Sequence, residues 1–143
     1  MAKRFKIKPI ETRYDGYKFR SRIEARWALF FKTLGAPYEY EKEGYQLPDG
    51  TWYLCDFWLP KDFAWIVIKG EKPSQLEILK LTQLAQGTQC RAAYIFWGPI
   101  PHPTTWKKTW KVISVLNTAQ SILANYSDAR ISYALNAARS ARF

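Results

Sequence analysis

The sequence predicts a mixed α+β domain: a β-sheet with helices packed on it, followed by a C-terminal helical extension. Three observations predict it. Apolar residues recur at helical spacing from Ile23 to Leu34, and from Tyr38 the period drops to two. A second helical stretch then lies between two apolar runs, residues 65–69 and 92–97, which is the pattern of a crossover joining parallel strands. The chain's 143 residues suffice for one domain with its own core.

Each element has a local cause. Residues 1–13 read as a basic arm, with Lys3, Arg4, Lys6, Lys8 and Arg13 against Glu11 alone. The alternation of Phe5, Ile7 and Pro9 allows a short extended segment, and a partly ordered tail is the other reading. Tyr14-Asp15-Gly16-Tyr17 is a turn signal. Ser21 is placed to cap the first helix, and Glu24 sits three residues on, the spacing of a capping box. Ile23, Trp27, Phe30, Phe31 and Leu34 form its apolar stripe, and Gly35 with Pro37 ends it.

A strand is expected over residues 38–41, then a break at Gly44 and a turn at Pro48-Asp49-Gly50. Residues 52–59 read as one strand ended by Pro60, and residues 65–69 as a central strand, giving an antiparallel meander. Residues 75–86 read as a helix with Leu76, Leu79 and Leu84 inward and Gly87 as its stop; residues 92–97 read as a buried strand. After a Pro-rich break, residues 106–124 are expected to be helical, with Trp106, Trp110, Ile113 and Leu116 on one side. Asp128 would cap a last helix holding Ile131, Leu135 and Ala138. The organisation expected is therefore an arm (1–13), a core (14–103) and a helical extension of the same domain (104–143).

Composition narrows the function classes. Two cysteines without Cys-x-x-Cys spacing and one histidine, His102, lying between two prolines, argue against a structural zinc site, and free thiols fit a reducing compartment. No signal peptide or membrane span is visible, so a soluble, cytoplasmic protein is expected. The net charge of +10 points to a polyanion partner, most often nucleic acid, against the plainer reading that the charge serves solubility. Arg22 and Arg26, at i and i+4, are either a solvated face or phosphate contacts, and Arg20 beside them joins the candidates. Lys107, Lys108 and Lys111, next to Trp106 and Trp110, could clamp a DNA backbone or simply be the wet side of an amphipathic helix. Trp52, Trp58, Trp65 and Trp97 read as core rather than as base-stacking platforms.

Three charged residues sit beside apolar neighbours, where a charge is costly unless paired or bound to an ion: Glu24, Asp56 and Lys69. A meander brings Asp56 and Lys69 to neighbouring strand ends, and residues 67 and 69 share a strand face. Two carboxylates, the second placed two residues before a lysine, suit phosphodiester hydrolysis. The acids hold Mg²⁺, the metal polarises phosphate and acidifies a bound water, and the lysine stabilises developing charge. The plainer reading is a buried Asp56–Lys69 pair without metal, with Glu24 serving only as a cap.

The stretch Phe19-Arg20-Ser21-Arg22-Ile23-Glu24-Ala25-Arg26-Trp27 resembles the opening helix of a group of phage and bacterial PD-(D/E)xK proteins. The resemblance continues through residues 38–41, Asp56-Phe57-Trp58-Leu59-Pro60, residues 65–70, residues 94–98 and the ending at residues 137–143. It implies a restriction-endonuclease-like fold and an Mg²⁺- or Mn²⁺-dependent DNA endonuclease. By position, Glu24 and Asp56 would bind metal and Lys69 would be the catalytic lysine. Because paired strand cuts need two sites, it also makes a homodimer an expectation. Two positions depart from the pattern. Cys55 replaces a usual Pro, and Val67 replaces the second acid. Three explanations stand: Glu24 supplies the missing carboxylate, with the Ile68 carbonyl as a further ligand; Glu71 reaches back; or the site is degenerate and the protein binds DNA or serves as an assembly subunit.

Overall fold

The computed structural model describes residues 9–116 and 122–143. Its element order is β1 (Thr12–Tyr14), β2 (Tyr17–Phe19), α1 (Arg22–Leu34), β3 (Glu39–Tyr40), β4 (Gly44–Gln46), β5 (Trp52–Leu54), β6 (Phe57–Leu59) and β7 (Ala64–Lys69). There follow α2 (Gln75–Thr88), β8 (Ala92–Trp97), α3 (Trp106–Thr109), β9 (Val112–Ser114), a 3-10 turn (Ile122–Asn125) and α4 (Asp128–Ser140). The fold is mixed α and β, as the sequence predicts.

A five-stranded sheet in the order β3-β6-β7-β8-β9 carries the domain. Strands β7 and β8 run parallel through the α2 crossover, in register from Ala64↔Ala92 to Lys69↔Trp97, and the other neighbours are antiparallel. Two hairpins, β1-β2 and β4-β5, stand apart from it. Alternation along β7 splits the core. Ile66 and Ile68 face α1 and α4, where Trp27, Phe30, Phe31, Leu135 and Ala138 close over them. Trp65 and Val67 face α2, against Leu81, Leu84 and Ala85.

The ends of α1 form as the sequence predicts. Ser21 Oγ accepts the Glu24 N–H, and Gly35 closes the helix in the left-handed region at φ 86°. The capping box is only half made there, because Glu24 accepts the Ser21 hydroxyl instead of its backbone N–H. A complete box occurs on α2, between Ser74 and Glu77.

Several expected elements differ. The run over residues 52–59 is two strands, not one. The chain breaks at Cys55–Asp56, where the Asp56 carbonyl accepts the Glu41 N–H, and the two halves join different sheets. Gly44 starts a strand instead of breaking one. Trp52 lies across it, and a Cβ would come within 2.2 Å of the indole ring, which would then have to move aside. Trp52 is 71% exposed and so is not core, whereas Trp58 and Trp65 are buried. α2 runs through Gly87 to Thr88 and ends at a left-handed Gln89, and its rotation leaves Leu76 and Leu79 exposed. The helix expected over residues 106–124 stops at Thr109. The β-branched alternation after it adds β9 to the sheet edge, and the rest of that expectation partly falls on residues 117–121, outside the described residues. Ser127, not Asp128, caps α4. Of the basic arm, residues 1–8 lie outside the described residues, while Thr12–Tyr14 is already β1.

Candidate functional site

The break between β5 and β6 is what creates a site. Were β6 to continue, its next residue would extend the ladder to β7. Instead, the Asp56 carboxylate takes that place, with Oδ2 accepting the Ile68 N–H at 2.8 Å. In an extended strand the N–H and C=O of one residue point to the same side. The Ile68 carbonyl therefore points toward Asp56, while the next carbonyl, that of Lys69, turns to β8 and accepts the Gly98 N–H.

Glu24 approaches from α1. It is 7% exposed, a depth at which a carboxylate needs partners. Both oxygens have one: Ser21 Oγ donates to Oε1 at 2.9 Å and Tyr40 Oη to Oε2 at 2.8 Å. Neither partner is a cation, so the negative charge is satisfied by hydrogen bonds but not neutralised. Burial pushes the Tyr40 phenol well above its usual range, so it remains a donor at any physiological pH. Arg20 pairs with Glu41 at 2.8 Å, just outside this network.

The two carboxylates feel each other. The Asp56 carboxyl is raised from 3.8 to about 7, first by burial and then by the nearby charge of Glu24, against the Ile68 N–H, Lys69 and Arg20, which act the other way. A buried acid beside one whose carboxyl is raised to about 7 makes a pair short of positive charge.

Lys69 does not neutralise it directly. Its Nζ is paired with Glu77 Oε2 of α2 at 2.7 Å, and that bond lowers the Glu77 carboxyl. The reason is strand alternation: Lys69 leaves β7 on the α2 face, the face of Val67. Val67 itself is 4% exposed and packs into the α2 core. Position 67, where the resemblance leads one to expect an acid, thus serves apolar packing.

Among the described residues, no three His, Cys, Asp or Glu side chains converge as a metal cage. Two carboxylates and a carbonyl fit Mg²⁺ nonetheless, since that ion takes oxygen ligands and keeps several waters. Glu24, Asp56 and the Ile68 carbonyl are the residues that would hold it. Glu71 is exposed and makes no side-chain bond among the described residues.

The cationic candidates divide. Arg26 is turned inward: its Nη1 donates to the carbonyls of Ala138, Arg139 and Ala141 at 2.8, 3.2 and 2.9 Å, binding the end of α4 to α1. Lys107 is ion-paired with Asp128. Lys108 is exposed, and Lys111 lies over Gly98. Arg20 and Arg22 are exposed near the start of α1.

Two residues of the site were missed by sequence reasoning. Tyr40 looked like one more alternating aromatic; only the fold shows it reaching Glu24. Glu77 carried a signal, the Ser74-x-x-Glu77 spacing, but that signal predicts a cap and not a partner for Lys69.

No family model matches the chain, and neither a curated protein nor a solved structure is similar to it. Function must be argued from the site itself.

Proposed function

We propose that this protein is a divalent-metal-dependent endonuclease of PD-(D/E)xK type that hydrolyses phosphodiester bonds in DNA, acting in the cytoplasm of a bacterial or phage-infected cell. The observation that carries the reading is the electrostatic pairing of Glu24 with Asp56 at the end of the sheet. Two acids sharing a half-buried place, with one pushed up to about 7, are suited to exchange a proton for a divalent cation. Mg²⁺ or Mn²⁺ bound there would polarise a phosphate oxygen and supply hydroxide near neutral pH. Ser21 and Tyr40 hold the Glu24 carboxylate, and the Ile68 N–H holds that of Asp56, so neither must reorganise on binding. In this reading Lys69, paired with Glu77 in the metal-free protein, would turn to the phosphate to stabilise its charge. No helix among the described residues is long and apolar enough to cross a membrane.

A second reading is a nuclease fold that has lost catalysis and binds DNA or serves in an assembly. It is favoured by the burial of Val67 in the α2 core and by the pairing of Lys69 away from Asp56. Incubation of supercoiled and branched DNA with the protein and Mg²⁺ or Mn²⁺ separates the two. The nuclease reading expects nicking that Glu24→Gln, Asp56→Asn and Lys69→Ala abolish. No nicking by the native chain in either metal would leave the second reading.

A further inference from the structure

We infer that a second site, apart from the Glu24–Asp56 centre, binds the oxyanion of a phosphate group. It is a surface depression of about 330 Å³ lined by Arg22, Ile23, Arg26, Pro99, Ile100 and Arg139. Three arginines line this small space, and no acidic residue does. Among the described residues, none of the three arginines forms a salt bridge.

Two of the arginines are fixed in place by neutral acceptors. Arg139 Nη1 donates to the Ile100 carbonyl at 2.9 Å, and Arg26 Nη1 donates to the three carbonyls that end α4. Carbonyl oxygens satisfy a donor and hold its geometry, but carry only partial charge and compensate the cation only in part. Neither the Nε nor the Nη2 of Arg26 has a hydrogen-bond partner among the described residues, although the guanidinium lies 5.8 Å from the centroid of the Phe143 ring. Arg22, at the first turn of α1 and exposed, makes no side-chain bond among them at all. Preset guanidinium forks around a concave space match the multiple acceptor oxygens of a phosphate. The other lining residues, Ile23, Pro99 and Ile100, bring no acidic side chain to compete with an anion.

The position gives the site a use. Arg22 precedes Glu24 by two residues, and the loop carrying Pro99 and Ile100 begins at Gly98, whose N–H is bonded to Lys69. The depression therefore opens at the end of the sheet where Glu24, Asp56 and Lys69 lie. DNA carries a phosphate every ~3.4 Å of axis along each strand. A strand with one phosphate at Asp56 would bring another to the arginines. This placement on DNA rests on the nuclease reading; the oxyanion chemistry does not.

The test is DNA binding by the full chain without divalent metal, from about 50 to 200 mM salt. It compares Arg22→Gln with Lys61→Gln. Lys61 is an equally exposed cation in the turn between β6 and β7, at the opposite end of the sheet. Arg22→Gln should weaken binding roughly five- to tenfold and reduce the log–log salt slope by about 1, while Lys61→Gln changes neither. Equal effects of the two variants, or an unchanged slope in Arg22→Gln, would overturn the placement on DNA. Arg139→Gln should behave as Arg22→Gln does, provided its thermal midpoint is kept. A titration with inorganic phosphate, followed on the arginine Nε–H NMR signals, separates the sources. Perturbed Arg22 and Arg26 signals are expected; if they move while DNA binding is unchanged by Arg22→Gln, the site takes a free anion and the DNA claim is overturned. Signals that stay still, with no effect on DNA, overturn the site altogether. Failure of the native chain to nick DNA sinks the nuclease reading alone, because every one of these measurements is of binding.

Discussion

Replacing Asp56 by Asn should stabilise the metal-free protein, and by more as the pH rises. The folded Asp56 carboxyl is raised from 3.8 to about 7, chiefly by burial and then by Glu24. A raised carboxyl pKa means that the folded state binds more protons than the unfolded chain between these two values, so stability falls as pH rises through that window. At about 1.36 kcal/mol per pKa unit, the total cost is about 4 kcal/mol once the pH exceeds both values. That is a large fraction of the stability of an ordinary domain. Asn cannot ionise, and its Oδ1 can still accept the Ile68 N–H at the position Asp56 Oδ2 occupies now.

The assay is urea unfolding of the native chain and the variant from about pH 4 to pH 8, without metal. The two should be close in stability at the acid end, where Asp56 is protonated in the folded chain and only about half ionised in the unfolded one. The gap should open through the window and level off above about pH 7, the variant then being more stable by up to about 4 kcal/mol. A gap that stays constant across the range would refute the reasoning, because it would mean that Asp56 titrates alike in both states. Adding Mn²⁺ at the alkaline end extends the test. The native chain should gain about 2.7 kcal/mol at a hundredfold excess over its dissociation constant, and the variant much less. Equal gains would place metal binding elsewhere.

Other substitutions probe the same construction. Tyr40→Phe removes the donor to Glu24 Oε2 and leaves a buried carboxylate oxygen unpaired; it should cost about 1–3 kcal/mol in urea unfolding and weaken Mn²⁺ binding measured by calorimetry. Val67→Glu, which supplies the acid that the resemblance leads one to expect, should destabilise the fold by several kcal/mol at neutral pH, since the side chain enters the α2 core; thermal melts at pH 5 and pH 8 should show the loss growing with pH. Arg26→Ala should cost about 2–3 kcal/mol by freeing the end of α4, and hydrogen exchange should show that helix fraying first.

Much of this architecture could be read from the sequence because it depends on local rules. The stripe of α1, its Ser21 cap and Gly35 stop, and the strand–helix–strand order around α2 all follow from periodicity and capping chemistry, which act within a few residues. The parts that could not be read depend on partners distant in the chain. Nothing between Trp52 and Leu59 announces a break at Asp56, because the cause is a backbone bond to Glu41 and a side-chain bond to Ile68. β9 was hidden because the spacing of Trp106 and Trp110 continues smoothly into residues that the sheet edge recruits. Leu76 and Leu79 matched a helical stripe as well as Leu81 and Leu84 do, and only the rotation of α2 on the sheet separates them. The site residues show the same division. Glu24, Asp56 and Lys69 were visible as charges beside apolar neighbours; that Lys69 would meet Glu77, and Glu24 would meet Tyr40, required the fold.

Val67 acquires a physical meaning from the two faces of β7. Its side chain points to α2, while Glu24 reaches Asp56 from the α1 side. An acid at 67 and the acid at 24 would therefore approach the sheet end from opposite faces, with Asp56 in the plane between them. Adding the first would place three carboxylates around one low-dielectric position where two already force a proton onto Asp56. Valine removes that third charge and gives α2 a fully apolar seat. With the α2 side closed by packing, the positive charge of Lys69 is held at the rim by Glu77, and the negative charge left uncompensated lies on the α1 side. The geometry thus makes the Glu24 side the one on which a cation would be stabilised. Glu24→Gln should abolish Mn²⁺ binding and bring Asp56 back toward its ordinary carboxylate range, whereas Glu77→Gln should leave Mn²⁺ binding in place. Carboxyl NMR titrations with calorimetry would show this, and a metal lost with Glu77 but kept without Glu24 would reverse the assignment.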